Sequence, residues 1–259
     1  MKRLRKWLFG GGEMLITEER GVRFLHIGGG AIQSAMRLSA PDSLELHYTR
    51  ALMSFLLFRP DPRHVVVVGL GGGSIPKFLY RNLPDARITA VEIDERVVRA
   101  SREFFNLPGD DGRLCVLLDD GANWVRSHRG GCDVLVMDAF DDGDQVGALV
   151  TDDFYRSAHD CLQPGGVLVA NFMAEDPMLD LHRERLASAF GGKVLKLRAL
   201  DGVNAILMAL RDGPSRVGIA ALRERARDLS AAFDLPFDRL VTTMLDGNLH
   251  TAQYLKFSA

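Results

Sequence analysis

The chain has 259 residues, 47% of them hydrophobic, which is enough to build the core of one large domain or of one domain with a small annex. Its formal net charge of −2 leaves no basic footprint for nucleic acid, and no apolar run reaches the length of a membrane span. The three cysteines, Cys115, Cys132 and Cys161, lack the spacing of a metal or redox site, so we predict no metal and a reduced, cytoplasmic location.

Residues 1–42 predict a small N-terminal β unit. The first nine residues are basic, with an apolar stretch too short for a signal peptide, and we interpret them as a frayed terminus. Residues 14–37 are typical of about three short antiparallel strands, joined by turns at 19–21 and 28–30. Because so few strands are near the lower limit for an independent sheet, we expect this unit to pack on the main domain or on a second subunit.

Residues 43–259 predict one large α/β domain. An apolar stripe indicates a helix over 43–58, after which strands and helices alternate, as in a parallel sheet with helices on both faces. The last two apolar segments have no helix between them and predict a closing hairpin with one antiparallel strand. This order resembles the seven-stranded methyltransferase-like (Rossmann-type) doubly wound sheet. The predicted strands are 65–68, 88–92, 114–118, 133–138, 166–172, 194–199 and 203–210, and the predicted helices are 74–82, 95–106, 121–128, 152–162, 178–190 and 214–232.

The most informative stretch joins the first of these strands to its helix. Four valines lead into a turn with Gly69, Gly71 and Gly73, where glycine lets the backbone bend sharply and approach a ligand closely. Glu92 ends the next strand, where a carboxylate can accept hydrogen bonds from two ribose hydroxyls. With Ser74 in the sixth position, the turn fits the dinucleotide fingerprint G-x-G-x-x-G poorly and resembles the first motif of S-adenosylmethionine-dependent transferases. We therefore predict a nucleoside site of the adenosylmethionine type.

Ligands of open α/β sheets bind beyond the carboxyl ends of the strands, and several acids gather there in this sequence. Asp138 ends an apolar strand and is expected to face the cleft, where neighbouring carboxylates raise its pKa and attract a cation. A polyamine or a sulfonium fits such a rim. Other acids near it are interpreted as helix caps or loop residues: Asp119, Asp142, Asp144 and Asp152.

An ordered set of motifs resembles the spermidine synthases, or polyamine aminopropyltransferases. Each motif alone is weak, but their order is fairly specific. The set starts at Gln33 and continues with VVVVGLGGGS at 65–74, VEID at 91–94, DG at 120–121, MDAFD at 137–141, TDDFY at 151–155 and LQPGG at 162–166.

The resemblance implies a particular co-substrate and the residues that bind it. The donor of the family is decarboxylated S-adenosylmethionine, and Gln33 would contact its thioadenosine part. Glu92 would hold the ribose hydroxyls. Asp120 would accept a hydrogen bond from the adenine amino group, with Gly121 beside it.

The resemblance also implies the reaction and its acceptor. Asp138 matches the catalytic aspartate of the family, and Asp141 and Tyr48 would hold the acceptor amine, which is putrescine or a longer amine. Asp138 would take a proton from this amine, which attacks the propyl carbon beside the sulfonium while methylthioadenosine leaves. The family resemblance further implies a homodimer.

Two acids of the family pattern are absent from this chain. The glycine motif usually carries Asp where this chain has Gly72, and Thr49 stands in place of a Glu. Three hypotheses therefore stay open. An aminopropyltransferase would release methylthioadenosine, a methyltransferase using intact S-adenosylmethionine would release S-adenosylhomocysteine, and a non-catalytic adenosyl-ligand-binding protein would release neither.

Overall fold

A small antiparallel sheet opens the chain. The computed structural model describes residues 2–9, 12–28, 32–141 and 144–257, and the side chains within 14–28, 32–139 and 146–257. The first four strands pair in chain order, each antiparallel to the next. The interpretation of residues 1–9 as a frayed terminus is therefore wrong for 2–9, because their backbone forms the edge strand of this sheet. The strands are β1 (Lys2–Phe9), β2 (Gly12–Glu19), β3 (Val22–Ile27) and β4 (Ile32–Arg37).

A short helical segment connects the small sheet to the main one. The predicted helix over 43–58 is shorter in the structure, where α1 (His47–Leu52) passes directly into a 3₁₀ helix at Met53–Leu57. All five residues of the 3₁₀ turn are buried. Packing of this apolar turn thus places α1 beside the edge of the main sheet at which the parallel strands have their carboxyl ends.

The main sheet has seven strands in the order β12-β13-β11-β8-β5-β6-β7. Its bounds are β5 (His64–Val68), β6 (Arg87–Glu92), β7 (Leu114–Leu118), β8 (Cys132–Met137), β11 (Leu162–Met173), β12 (Val194–Arg198) and β13 (Asn204–Leu210), with the two-residue strands β9 (Phe140–Asp141) and β10 (Asp144–Gln145) forming a separate pair. Neighbours from β7 to β11 run parallel, whereas β13 is antiparallel to both β11 and β12. The predicted closing hairpin is confirmed.

Helices follow most of the strands, as the alternation predicts. The predicted helix over 214–232 starts later, because residues 216–218 pair as a strand with the C-terminal segment. The helices are α2 (Ser74–Asn82), α3 (Glu95–Phe104), α4 (Gly121–Ser127), α5 (Asp152–Cys161), α6 (Leu179–Ala189), α7 (Ile219–Phe233) and α8 (Phe237–Asp246), and the last strands are β14 (Arg216–Gly218) and β15 (Tyr254–Lys256). None of the described helices is long and apolar enough to cross a bilayer.

The main sheet is buried on both faces, which explains its continuous apolar strands. Successive valines of β5 point to opposite sides, so that Val65 and Val67 belong to one core cluster and Val66 and Val68 to the other. The first cluster also contains Met14, Ile16, Leu25 and Met36 of the small sheet, which therefore shares a core with the main sheet. The division into domains at residue 42 stays a prediction.

A buried carboxylate holds the end of the sheet opposite the predicted site. Asp133 in β8 is 2% exposed and pairs with the guanidinium of Arg59. It also accepts hydrogen bonds from the backbone N–H groups of Arg63, at 2.7 Å, and His64, at 2.8 Å. These bonds join the first residue of β5 and the loop before it to the start of β8.

We expect Asp133→Ala to lower the free energy of unfolding by roughly 3 kcal/mol, because it leaves two buried N–H groups and a cation without their acceptor. Urea denaturation at neutral pH measures this change. Glu95→Ala is the control, since the ion pair that it removes, with Arg99 at 3.3 Å, is exposed and contributes less than about 1 kcal/mol. Equal effects of the two substitutions would contradict the structural role of Asp133.

Candidate active site

A cavity of about 320 Å³ lies beyond the carboxyl ends of the parallel strands, where an open α/β sheet binds its ligand. Two predicted residues are not among those described as lining it. Gly73 lies just behind the wall, and the side chain of Asp141 is outside the described residues. The predicted residues that the fold brings together at this cavity are Gln33, Tyr48, Gly69, Gly71, Glu92, Asp120, Gly121 and Asp138.

The turn after β5 offers backbone to the cavity. Gly69, Gly71 and Gly73 have φ angles of 92°, 53° and 70°, in the left-handed region that other residues avoid. A Cβ atom at Gly69 would lie 2.3 Å from the carbonyl oxygen of Asp138, so packing also excludes a side chain there. Gly73 is the N-cap of α2 and packs against Leu107. Glycine is thus required in this turn for two reasons: the positive φ angles, and the close approach of Asp138, at the end of β8, to Gly69.

Glu92 ties the end of β6 to this turn. Its carboxylate accepts hydrogen bonds from the backbone N–H groups of Leu70 and Asp94, each at 2.9 Å. Burial raises the pKa of Glu92, and the backbone hydrogen bonds from Asp94 and Leu70 oppose that rise. The carboxylate is therefore held in place at the cavity, and its further lone pairs can accept hydrogen bonds from a ligand.

Asp94 and Arg96 form an ion pair in the cavity wall, at the start of α3. Asp94 is the N-cap of that helix and accepts hydrogen bonds from the backbone N–H of Arg96, at 2.8 Å, and from its guanidinium Nε, at 3.0 Å. Burial alone would raise the pKa of Asp94, but the hydrogen bonds from Arg96 outweigh it and lower the pKa. The positive charge of Arg96 is thereby engaged within the protein.

Asp120 lies between β7 and α4 and caps that helix. Its Oδ1 accepts hydrogen bonds from the N–H groups of Ala122, at 2.7 Å, and Asn123, at 3.0 Å. Gly121 follows where no side chain fits, because a Cβ atom would lie 2.4 Å from Cγ1 of Val68. The cap fixes the position of the carboxylate at the cavity.

Asp138 is the carboxylate at the cavity whose pKa comes close to neutral pH. Asn171 donates a hydrogen bond from Nδ2 to Asp138 Oδ1 at 2.9 Å, and the hydroxyl of Tyr48 lies within hydrogen-bonding reach of the same carboxylate. That hydroxyl also lies 3.2 Å from the carbonyl oxygen of Gln33. Burial raises the pKa of Asp138 to about 7, against the two hydrogen bonds, which lower it. A carboxylate of this kind can accept and release a proton near neutral pH.

The structure shows what surrounds Gly72 and Thr49, the two positions where the family pattern has an acid. A Cβ atom at Gly72 would lie 2.8 Å from the ring of Phe105 and 2.8 Å from Oγ of Ser34, so these side chains fill the space that an Asp would need. Thr49 lines the cavity and turns its hydroxyl to the carbonyl oxygen of Leu46, at 2.7 Å. Both positions are therefore neutral, and at Gly72 the neighbours leave no room for a side chain.

Asn171 and Asn204 carry no role predicted from the sequence, yet they reach the site through Asp138. Both are buried, and Asn204 donates a hydrogen bond to Oδ1 of Asn171 at 3.0 Å. The signal in the sequence is an amide within an otherwise apolar strand, in VLVANFM and in NAILMAL. A buried polar residue requires a partner, but the sequence does not say which one.

Two comparisons identify the family. A family model described as the spermine/spermidine synthase domain matches residues 45–198. The polyamine aminopropyltransferase of Chromobacterium violaceum is 40% identical over 243 residues, which cover 94% of this chain and 93% of that protein. The chain belongs to the spermine/spermidine synthase family. The resemblance predicted from the sequence is thus confirmed.

Solved structures confirm the fold of this spermine/spermidine synthase family member. A probable spermidine synthase from Corynebacterium glutamicum is 22% identical, with a TM-score of 0.72 and 86% of each chain covered. A spermidine synthase in complex with the transition state analogue AdoDATO is also 22% identical, with a TM-score of 0.67, over 82% of this chain and 74% of that chain. The predicted methyltransferase-like sheet is confirmed.

The raised pKa of Asp138 makes a prediction for stability. Its pKa is about 7 in the folded chain and near 3.8 without the fold, so between these values the folded state binds a proton that the unfolded state has released. The contribution of this group to stability therefore falls as the pH rises through that window. The side chain of Asp138→Asn does not titrate. We therefore expect the Tm of this variant, relative to that of the wild type, to be higher at about pH 8 than at about pH 4.

Calorimetry at the two pH values measures this difference. The exposed rim residue Asp119, changed to Asn, controls for the removal of one negative charge. A difference between Asp138→Asn and wild type that is the same at both pH values would contradict the raised pKa.

Proposed function

We propose that the chain is a spermidine synthase-like aminopropyltransferase, which moves an aminopropyl group from decarboxylated S-adenosylmethionine to an amine such as putrescine. The observation that carries this proposal is the half-buried carboxylate of Asp138 on the wall of an acidic cavity, where desolvation raises its pKa. The name of the Chromobacterium violaceum relative, polyamine aminopropyltransferase, supports the same reaction.

The charges at the cavity favour a donor without a carboxylate. Within the part of the chain whose side chains are described, four acids line it, Glu92, Asp94, Asp120 and Asp138. Among the described lining residues, Arg96 is the one basic side chain, and Asp94 holds its guanidinium. Decarboxylated S-adenosylmethionine carries a sulfonium and an ammonium, which suit this field, whereas intact S-adenosylmethionine brings a further carboxylate that needs a cation. This contrast supports aminopropyl transfer over methyl transfer.

The residues around the glycine turn are proposed to bind the nucleoside. Glu92 would accept hydrogen bonds from the ribose hydroxyls, because its carboxylate is fixed by two backbone N–H groups beside the turn. Asp120 would accept one from the adenine amino group, with Gly121 giving the base a flat surface. Gln33, on β4, would contact the thioadenosine part from the opposite wall.

Asp138 would act as the general base. An alkyl ammonium titrates near ~10.4 and must lose a proton before its nitrogen can attack. A base with a pKa of about 7 lowers the free-energy cost of that proton transfer by roughly 4 kcal/mol relative to an ordinary Asp. The freed nitrogen forms a bond to the propyl carbon, the carbon–sulfur bond breaks, and the sulfur keeps the electron pair as methylthioadenosine leaves.

Tyr48 would orient the acceptor amine next to this base, because its hydroxyl lies between Asp138 and the backbone of Gln33. Asp141, the other proposed acceptor residue, follows on β9, and its side chain lies outside the described residues. A homodimer and a cytoplasmic location stay predictions from the family resemblance and from the cysteines.

Incubation with each sulfonium donor and a panel of amines, followed by mass spectrometry, tests the proposed function. We expect methylthioadenosine and an aminopropylated amine from decarboxylated S-adenosylmethionine, and no product from intact S-adenosylmethionine. Formation of S-adenosylhomocysteine would identify a methyltransferase. Binding of methylthioadenosine without turnover of either donor would identify a non-catalytic binding protein.

Asp138→Asn separates the chemical step from binding. We expect turnover to fall by roughly 10²–10⁴-fold, because the substituted amide cannot take the proton, while methylthioadenosine binding stays nearly unchanged. Initial rates and calorimetric titration measure the two effects, with Asp119→Asn as the control for charge. Turnover at the wild-type rate would remove Asp138 from the mechanism.

Glu92→Ala tests the ribose contact. We expect it to weaken methylthioadenosine binding by roughly 1.5–3 kcal/mol, the loss of hydrogen bonds to a charged group. Since Glu92 also holds the glycine turn, the control is the 2′,3′-dideoxy analogue of methylthioadenosine, whose affinity should change much less. Equal losses for both ligands in calorimetry would mean that Glu92 acts on the turn and not on the ribose.

A further inference from the structure

A chain of two buried amides lies behind Asp138. Asn204, the first residue of β13, donates from Nδ2 to Oδ1 of Asn171 at 3.0 Å, and Asn171 donates from its own Nδ2 to Oδ1 of Asp138 at 2.9 Å. Asn171 is 2% exposed and Asn204 is 8% exposed, so water competes little with these bonds. The chain runs across three neighbouring strands, from β13 through β11 to the end of β8.

The direction of this chain follows from the chemistry of an amide. An asparagine side chain has one acceptor oxygen and one donor NH₂ group. Because Asn204 donates to the oxygen of Asn171, the NH₂ group of Asn171 is the end that faces Asp138. Rotation of the Asn171 amide by half a turn would bring two NH₂ groups together and set its oxygen against a carboxylate. Asn204 therefore selects the orientation in which Asn171 can donate.

We propose that Asn171 and Asn204 are positioning residues, which together hold the Asp138 carboxylate in its reactive rotamer and favour its ionised form. This inference rests on the proposed function, since it concerns the base of that reaction. Neither amide is proposed to touch the substrates. Asn171 acts through its bond to Asp138, and Asn204 acts through Asn171.

Two opposite influences act on the same carboxylate. Burial favours the protonated acid, which cannot serve as a base, whereas a donated hydrogen bond favours the anion. The titratable group that faces Asp138 from α1 is Tyr48, whose own pKa is raised by burial and by the Asp138 charge. The other charged residues at the cavity, among those whose side chains are described, are Glu92 from β6, Asp94 and Arg96 at the start of α3, and Asp120 before α4. The amide chain supplies stabilisation of the anion from the remaining side, that of β11.

Substitution of the amides tests the proposal through the pH dependence of the reaction. We expect Asn171→Leu to move the acid limb of the kcat/KM profile upward by roughly one to two pH units, because the anion loses a hydrogen bond. Asn204→Leu leaves Asn171 in place but frees its orientation, so we expect a smaller shift in the same direction. Asn171→Gln keeps the amide and should restore the wild-type limb at least in part.

The control is Asn248→Leu. Asn248 also makes amide hydrogen bonds, to the backbone of Lys196 and Met244, which are partly buried, but it has no described link to Asp138. It should lower stability without moving the acid limb. If Asn171→Leu does not fold, Asn204→Leu decides the question.

A second readout does not depend on turnover. Titration of ¹³C-labelled aspartate by NMR, with Asp138→Asn for assignment, follows the Asp138 carboxylate directly in the full chain. A raised titration midpoint in Asn171→Leu and Asn204→Leu, with none in Asn248→Leu, would support the proposal. Unchanged midpoints and unchanged acid limbs would overturn it. Absence of methylthioadenosine formation by the wild-type chain would instead refute the proposed function, whatever the midpoints are.

Discussion

Two stretches of backbone meet at the top edge of the main sheet, and the geometry of the cavity depends on their contact. The N–H of Asp138 donates to the carbonyl oxygen of Val68 at 2.8 Å, so β8 and β5 stay paired up to the residue where both leave the sheet. Gly69 then turns away with a positive φ, and the Cβ that it lacks would collide with the carbonyl group of Asp138. The proposed nucleoside-binding turn and the proposed base are thereby fixed to each other by main chain, which gives a more rigid spacing than side-chain contacts alone.

The proton affinity of Asp138 reflects a balance between burial and hydrogen bonding. Burial alone would keep the carboxyl group protonated, whereas full solvation would make it too weak a base for an ammonium. Hydrogen bonds from Tyr48 and Asn171 bring its pKa back to about 7. These two donors come from parts of the chain on either side of the glycine motif, α1 and β11. The small N-terminal sheet lies beside the same hydroxyl, since the backbone carbonyl oxygen of Gln33 on β4 is 3.2 Å from that of Tyr48.

Local contacts accommodate the two neutral residues, Gly72 and Thr49, that replace acids of the family pattern. Gly72 has lost its acid in a place where Phe105 and Ser34 leave no room for a side chain, and Phe105 is fully buried. Thr49 satisfies its hydroxyl locally, on the carbonyl oxygen of Leu46. Negative charge is retained at Glu92, Asp120 and Asp138, all at the cavity. The proposed donor-binding acids Glu92 and Asp120 are therefore kept, whereas positions 49 and 72 are neutral.

Local patterns account for what the sequence by itself determined: the alternating strands and helices, the closing hairpin, the glycine turn, and the placement of Glu92 and Asp138 at strand ends. Each of these follows from a few consecutive residues, such as the valines of β5 or the glycines after them. Only the tertiary structure decided that residues 2–9 pair with β2, that Phe105 fills the space beside Gly72, and that Asn204 reaches Asp138 through Asn171. These contacts depend on strand order and register, which bring together residues distant in the chain, and no local spacing in the sequence encodes them.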